Sequence, residues 1–391
     1  MSGNPPPSIL HPHRILVRGV NWLGDAVMTT PALLRLRERF PDAHIALLTH
    51  EKLAGLWSRH PVVNETIPFS ADDGIVSVSG KLRGGQFDVA LVFPNSPRSA
   101  LEVWLAQIPH RIGYARPWRN VFLTQAVPMR PGLVVMRKRS ASEVKQLVAG
   151  SLTHHVHPPQ SACYGGRATR NTPSTAHQIH EYLHLVATLG AEHTPLAPLV
   201  FVGEDEIEVA LKKFGLSPIV AAGQPVFALN PGAEYGPAKR WPAERYIAAA
   251  REIQRRANAV CLVLGGKADV ETATTIAGSL TQHATRNTFN LAGKTSLREL
   301  MAVLKVSSVL LTNDSGPMHV AAALGTPVVV PFGSTSPELT GPGLPGDARH
   351  KLIQSDAPCS PCFLRECPID FRCMNGISVE RVVDAAMTVI R

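Results

Sequence analysis

The sequence predicts an α/β protein built from two doubly wound, Rossmann-like domains, and three observations carry that expectation. Short apolar runs recur along the chain: His13-Arg-Ile-Leu-Val17, Ile45–Leu48, Phe87–Phe93, then Val226–Leu229, Val260–Leu264, Val309–Thr312 and Val328–Val330. Each is flanked by a helical pattern, the signature of parallel strands covered on both faces. Polar, glycine-bearing loops follow the strands, where open parallel sheets bind ligands. The 391 residues suffice for two cores of ordinary size. The composition changes after Pro195-Leu-Ala-Pro198, which puts the boundary near residue 200, with one domain over 1–200 and a second over 201–391.

In the first domain, the strand from His13 runs into the loop Arg18-Gly-Val-Asn21-Trp-Leu-Gly24-Asp25, followed by a helix predicted over Ala26 to Phe40. The two loop glycines lack the G-x-G-x-x-G spacing of a dinucleotide fold, which disfavours a dehydrogenase. Asp25 stands where a helix N-cap is expected. From about 131 to 175 the apolar pattern dissolves, Val144 to Leu152 excepted, and a loop-like polar insertion is expected. His154, His155 and His157 lie in it without companion ligands, so solvated histidines are expected there. His177, His180 and His184 share a helical spacing that reads as a polar helix face.

In the second domain, a helix over Glu204–Phe214 precedes the strand ending at Asn230 and the loop Pro231-Gly232-Ala-Glu-Tyr-Gly-Pro-Ala-Lys239-Arg240-Trp-Pro242. Lys239 and Arg240 can neutralise phosphate oxygens, while Gly232 and Gly236 let backbone approach closely. Gly265-Gly266-Lys267 lies on the same sheet edge and is a weaker signal. The most informative stretch is Thr312-Asn-Asp314-Ser315-Gly316-Pro317-Met318-His319, a strand-to-helix turn. Its helix amides form an anion site, to which Ser315, Gly316 and His319 add a hydroxyl, close backbone approach and a ring donor.

The tail holds Cys359, Cys362, Cys367 and Cys373. Four thiolates suffice for structural zinc, but the second pair has the wrong spacing for a C-x-x-C half-site, so zinc and free thiols stand as equal alternatives. An amphipathic helix from Ser378 to Ile390 closes the chain.

A formal charge of +9 favours an anionic partner, while 45% hydrophobic and 18% charged residues are those of a globular protein. No apolar run approaches the roughly 20 residues of a membrane span. The polar opening Met1–Pro12 carries no secretory pattern, and a cytoplasmic protein is expected. Nucleic acid is the weakest anionic partner, because Lys and Arg are scattered apart from Arg137–Arg139 and no aromatic-rich motif accompanies them.

Asn21-Trp-Leu-Gly-Asp25, the loop Pro231–Pro242, Asn313–His319 and the cysteine-bearing tail together resemble glycosyltransferase family 9, the ADP-heptose lipopolysaccharide heptosyltransferases, with the heptosyltransferase II branch the nearest pattern. The likeness spans both domains, and the insertion departs from it. The resemblance implies a GT-B fold, with two Rossmann-like domains facing across a cleft. It implies inverting transfer of L-glycero-D-manno-heptose from ADP-heptose onto the first heptose of a phosphorylated Kdo-lipid A acceptor at the inner face of the cytoplasmic membrane. No cofactor and no catalytic metal are implied, and a monomer is expected. By the family pattern Asp25 is the general base, Lys239 binds the diphosphate and Asp314 holds sugar hydroxyls; Asn21, Gly24, Gly232, Arg240, Gly266, Ser315, Gly316, Pro317, Met318 and His319 complete the binding set. Heptosyltransferase I or III would share the donor and differ in acceptor. A GT-B sugar-nucleotide epimerase, which needs no acceptor, and a non-catalytic nucleotide-binding protein are the other readings.

Overall fold

The computed structural model describes residues 11–153, 174–281 and 287–390. They fall into two compact units, Met1–Leu133 with Gln178–Phe201, and Val134–His177 with Val202–Arg391.

The first unit is a six-stranded parallel sheet: β1 Arg14–Arg18, β2 His44–His50, β3 Glu65–Phe69, β4 Val89–Val92, β5 His110–Tyr114 and β6 Gln125–Val127, in the order β3-β2-β1-β4-β5-β6. Leu16 pairs with Ala46 on one side and Ala90 on the other, so the order reverses at β1 and the crevice outside β1 and β4 is the switch point. β4 is buried along its whole length, as a strand covered on both faces must be. The edge strands β3 and β6, and β5 beside β6, escape the sequence reading because their apolar content is low: β3 is Glu-Thr-Ile-Pro-Phe, mostly part-exposed.

The helix expected over Ala26–Phe40 is two helices, Leu23–Met28 and Thr30–Arg39. Thr29 and Thr30 bond their hydroxyls back to the carbonyls of Ala26 and Val27, and Pro31 has no amide to continue the ladder. Asp25 is therefore not an N-cap. Trp22 holds that position, and Asp25 is the third residue of the first turn.

The second unit repeats the architecture with β7 Val226–Asn230, β8 Val260–Val263, β9 Thr288–Asn290, β10 Val309–Thr312, β11 Val328–Phe332 and β12 Lys351–Gln354, ordered β12-β11-β10-β7-β8-β9. The switch point lies between β7 and β10, whose register sets Asn230 beside Thr312 at the carboxyl edge. Under the sheet, Phe227, Leu229, Tyr246, Ile253, Leu311 and Val382 share one core, with Trp241 packed edge-on against Tyr246. Burying each such side chain contributes about 1.5–3 kcal/mol, which anchors the loop ending at Trp241.

The polar stretch contains a helix, Ala141–Thr153, and groups with the second unit, whereas the sequence reading attaches it to the first domain as a loop. Val144 and Val148, one turn apart, pack against Cys359 and Cys362. That contact is long-range and leaves no local pattern. His154, His155 and His157 lie outside the described residues.

The histidines read as a polar face are not one. His177 is buried and shares a hydrogen bond with the Gly341 carbonyl at 2.9 Å, and His184 stacks on Tyr114. The closing helix, Val379–Met387, is capped by Ser378 as expected, its hydroxyl accepting from the Arg381 amide. Among the described residues no helix is long and apolar enough to cross a membrane.

Candidate active site

At the carboxyl edge of the second sheet the side chains divide into scaffold and free groups. Asn313 is scaffold: its Oδ1 accepts from the Trp241 amide and the Tyr246 hydroxyl, both at 2.9 Å, and its Nδ2 donates to the Pro231 carbonyl at 2.7 Å. It thereby ties the loop after β7 to the turn after β10. Asn230 donates to the hydroxyls of Thr312 and Ser315 at 3.2 and 3.3 Å.

These bonds leave the helix Gly316–Ala323 without a side-chain cap, although Ser315 occupies its N-cap position. Asn313 and Ser315 serve the scaffold, and Asp314 pairs with Lys239, so no side chain of Asn313-Asp314-Ser315 caps the helix. The first-turn amides keep their capacity for an anion. Pro317 lies in the first turn as expected. Met318 is fully buried, so only its backbone can meet a ligand.

Lys239 and Asp314 meet here, Nζ to Oδ2 at 2.7 Å, with side chains 15% and 5% exposed. Lys239 is also 4.9 Å from the Tyr235 ring centroid. His319 is buried, and burial pulls its pKa down to about 4 against the upward pull of Asp314, with His177 and Lys239 adding to the decrease. It is neutral at pH 7 and can donate one ring N–H.

Gly232 is required on steric grounds, because a Cβ there would lie 2.4 Å from the Asp269 carboxylate. Asp269 in turn accepts from the Gly266 amide at 2.9 Å. The loops after β7 and β8 are therefore interlocked through Asp269, a residue the sequence reading did not single out. Arg240 is exposed and reaches the Ala233 carbonyl at 3.3 Å.

In the first unit, Arg18 carries the loop. It is 3% exposed, bonds Glu102 at 3.0 Å, and donates to the Gly19 carbonyl at 2.6 Å and Asn21 Oδ1 at 3.0 Å. Asn21 is thus engaged by Arg18, and Gly24 sits inside the helix that presents Asp25. Gln178 Nε2 donates to the Tyr182 hydroxyl at 2.9 Å and reaches Asp25 Oδ1 at 3.4 Å. Tyr182 is held neutral well above its ordinary range by burial first and the Asp25 charge second. Neither Gln178 nor Tyr182 belongs to a sequence motif.

Arg119 is a second group without a sequence signal. Its side chain is buried, Nη1 donates to Asn95 Oδ1 at 3.3 Å, and Nε and Nη2 have no hydrogen-bond partner among the described residues. Burial and the neighbouring Arg116 draw its pKa down to about 10, so it remains charged at neutral pH. Gly113 at the end of β5 makes room for it: a Cβ there would be 2.8 Å from Nη2.

Among the described residues no group of three or more His, Cys, Asp or Glu side chains is placed to hold a metal ion. The four tail cysteines nevertheless lie close enough for their charges to act on one another, and zinc and free thiols both stand. Cys359 and Cys362 line an apolar cluster, and burial pushes the Cys373 thiol up to about 12.

Comparison with known proteins gives this geometry its context. The lipopolysaccharide heptosyltransferase 2 of Escherichia coli K12 is 32% identical over 358 residues, covering 88% of this chain and 91% of its own. That of Salmonella typhimurium is 31% identical over 335 residues, covering 84% and 85%. The solved structure of E. coli ADP-heptose LPS heptosyltransferase II superposes with a TM-score of 0.72 at 27% identity, covering 96% of this chain and 98% of that one. A family 9 glycosyltransferase from Veillonella parvula, 23% identical with a TM-score of 0.74 and 97% coverage of both chains, shares the fold. The family described as glycosyltransferase family 9 (heptosyltransferase) matches residues 75–371. With two Rossmann-like sheets, an uncapped helix beside Lys239 and Asp314, and relatives of this extent, the chain is a glycosyltransferase and belongs to family 9.

Proposed function

We propose that the protein transfers L-glycero-D-manno-heptose from ADP-heptose, with inversion, onto the first heptose of a phosphorylated Kdo-lipid A acceptor at the cytoplasmic face of the inner membrane, acting as a monomer without cofactor or catalytic metal. The observation that carries the reading is the Lys239–Asp314 pair at the open N-terminus of Gly316–Ala323. A diphosphate there accepts from the helix amides and from Lys239, which supplies the charge a metal ion would otherwise provide. Asp314, freed as Lys239 turns to phosphate, accepts from sugar hydroxyls.

In this reading the acceptor hydroxyl oxygen bonds to the anomeric carbon as the bond from that carbon to the diphosphate oxygen breaks. Asp25 takes the hydroxyl proton, and ADP leaves with the electron pair. Gln178 orients the Asp25 carboxylate. The buried, incompletely paired guanidinium of Arg119 supports an anionic acceptor, since an unpaired buried cation is costly and a phosphate or carboxylate would satisfy it.

The experiment is mass spectrometry of lipid-linked acceptors carrying zero, one or two heptoses, each incubated with ADP-heptose. A mass gain of one heptose on the singly substituted acceptor alone is expected. Gain on the unsubstituted or doubly substituted acceptor instead would assign a type I or III specificity, and conversion of donor with no acceptor present would make the protein an epimerase.

A further inference from the structure

We propose that Lys138, Lys239 and Arg365, gathered around the ring of Tyr235, form a phosphate-binding subsite beside the Lys239–Asp314 pair. Their cationic centres lie 5.9, 4.9 and 5.1 Å from the Tyr235 ring centroid. They come from three separated segments: the arm before helix Ala141–Thr153, the loop after β7, and the cysteine-bearing tail.

The backbone holds those segments together. The Tyr235 hydroxyl donates to the Phe363 carbonyl at 3.0 Å, the Ala238 amide to the Arg365 carbonyl at 3.0 Å, and the Arg139 amide to the Cys362 carbonyl at 3.0 Å. Gly236 permits the closest approach, since a Cβ there would lie 2.5 Å from the Arg365 carbonyl oxygen. The backbone positions from which the three cations reach the ring are therefore built into the fold.

The charge is not balanced by protein. Lys239 pairs with Asp314, whereas among the described ion pairs neither Lys138 nor Arg365 has a carboxylate. Glu234, next to Tyr235, and Glu366, next to Arg365, are exposed and take no part in the described ion pairs. Like charges gathered around one ring repel, and a multivalent anion relieves that repulsion. Phosphate fits, with Arg365 offering a planar fork and the two lysines mobile point charges. Its source is either the donor diphosphate or a phosphate of the acceptor.

The test uses Lys138→Gln and Arg365→Gln, both at exposed side chains, singly and combined, with circular dichroism to confirm folding. Calorimetric titration employs inorganic pyrophosphate, ADP and adenosine; kinetics employ acceptor before and after phosphatase treatment. The combined variant is expected to weaken pyrophosphate binding about tenfold or more and leave adenosine unchanged. An accompanying loss for ADP assigns the donor diphosphate; an unchanged ADP affinity with a raised KM for phosphorylated acceptor alone assigns the acceptor. Unchanged pyrophosphate, ADP and acceptor parameters, or equal losses for ADP and adenosine, would overturn the subsite. The proposal rests on the donor-site reading only for the choice of ADP: a wild-type protein that binds pyrophosphate but not ADP removes the nucleotide reading and leaves the subsite standing.

Discussion

Lys239 Nζ lies 2.7 Å from Asp314 Oδ2 although 75 residues separate them, and both side chains are largely withdrawn from water. In the proposed reading, an arriving diphosphate exchanges the one carboxylate partner of Lys239 for several phosphate oxygens. Lys239→Ala is expected to raise the ADP dissociation constant by roughly 10- to 100-fold, the equivalent of a charge-assisted contact worth about 1.5–3 kcal/mol. Lys239→Arg should recover only part of it. Unchanged calorimetric affinity in the Ala variant would place the diphosphate elsewhere.

Asp25→Asn keeps size and shape but cannot take a proton. Transfer is expected to fall about 100- to 10,000-fold, while ADP-heptose affinity and the melting temperature stay near those of wild type. Gln178→Ala should give a smaller loss in kcat and shift the acidic limb of the pH profile, since its amide favours the ionised carboxylate. Near-normal turnover in Asp25→Asn would return that residue to a structural role.

His319 links the site to pH. Its folded pKa of about 4 lies below the ordinary 6.5, so the unfolded chain binds the extra proton between those values. Stability from this group is present above pH 6.5 and is lost as pH falls toward 4, by an amount on the order of 3 kcal/mol. Urea unfolding of wild type and His319→Gln at pH 7.5 and 4.5 isolates it. The wild type should lose more stability than the variant, and equal losses would contradict the assignment.

Gly236→Ala tests the backbone junction. Gly236 has φ of 156°, and the added Cβ would sit 2.5 Å from a carbonyl oxygen, a contact no side-chain rotation relieves. A destabilisation of about 1–3 kcal/mol is expected from the backbone strain alone, read as a lowered melting temperature together with weaker ADP binding. A variant with wild-type melting and affinity would show that the loop and tail move independently.

Activity is expected to survive EDTA without added magnesium, because Lys239 and the helix amides supply the positive field at the leaving group. Full loss in EDTA that magnesium restores would remove the metal-free displacement.

What the sequence determined by itself was the pattern of buried strands and the edge on which the chemistry collects. Val309–Leu311 and Val226–Leu229 are apolar throughout, and Gly232, Lys239 and Asp314 follow them beyond their carboxyl ends, so local pattern located the loops before any contact was known. Only the tertiary structure decided what those loops do to one another. Asn313 proved to be the tie between two loops, because its partners Trp241 and Tyr246 are about 70 residues away and no spacing rule encodes them. Arg119, Gln178 and Tyr182 carry no motif; the first and last matter through burial and Gln178 through its bonds to Asp25 and Tyr182, and both are properties of the packed chain. The arm holding Lys138 joined the second unit for the same reason, since Val144 and Val148 find their apolar cover in cysteines more than 200 residues further on. Short-range pattern fixes which residues can be strand, helix or turn, whereas the partners of a buried polar group depend on elements that meet only when the chain has folded.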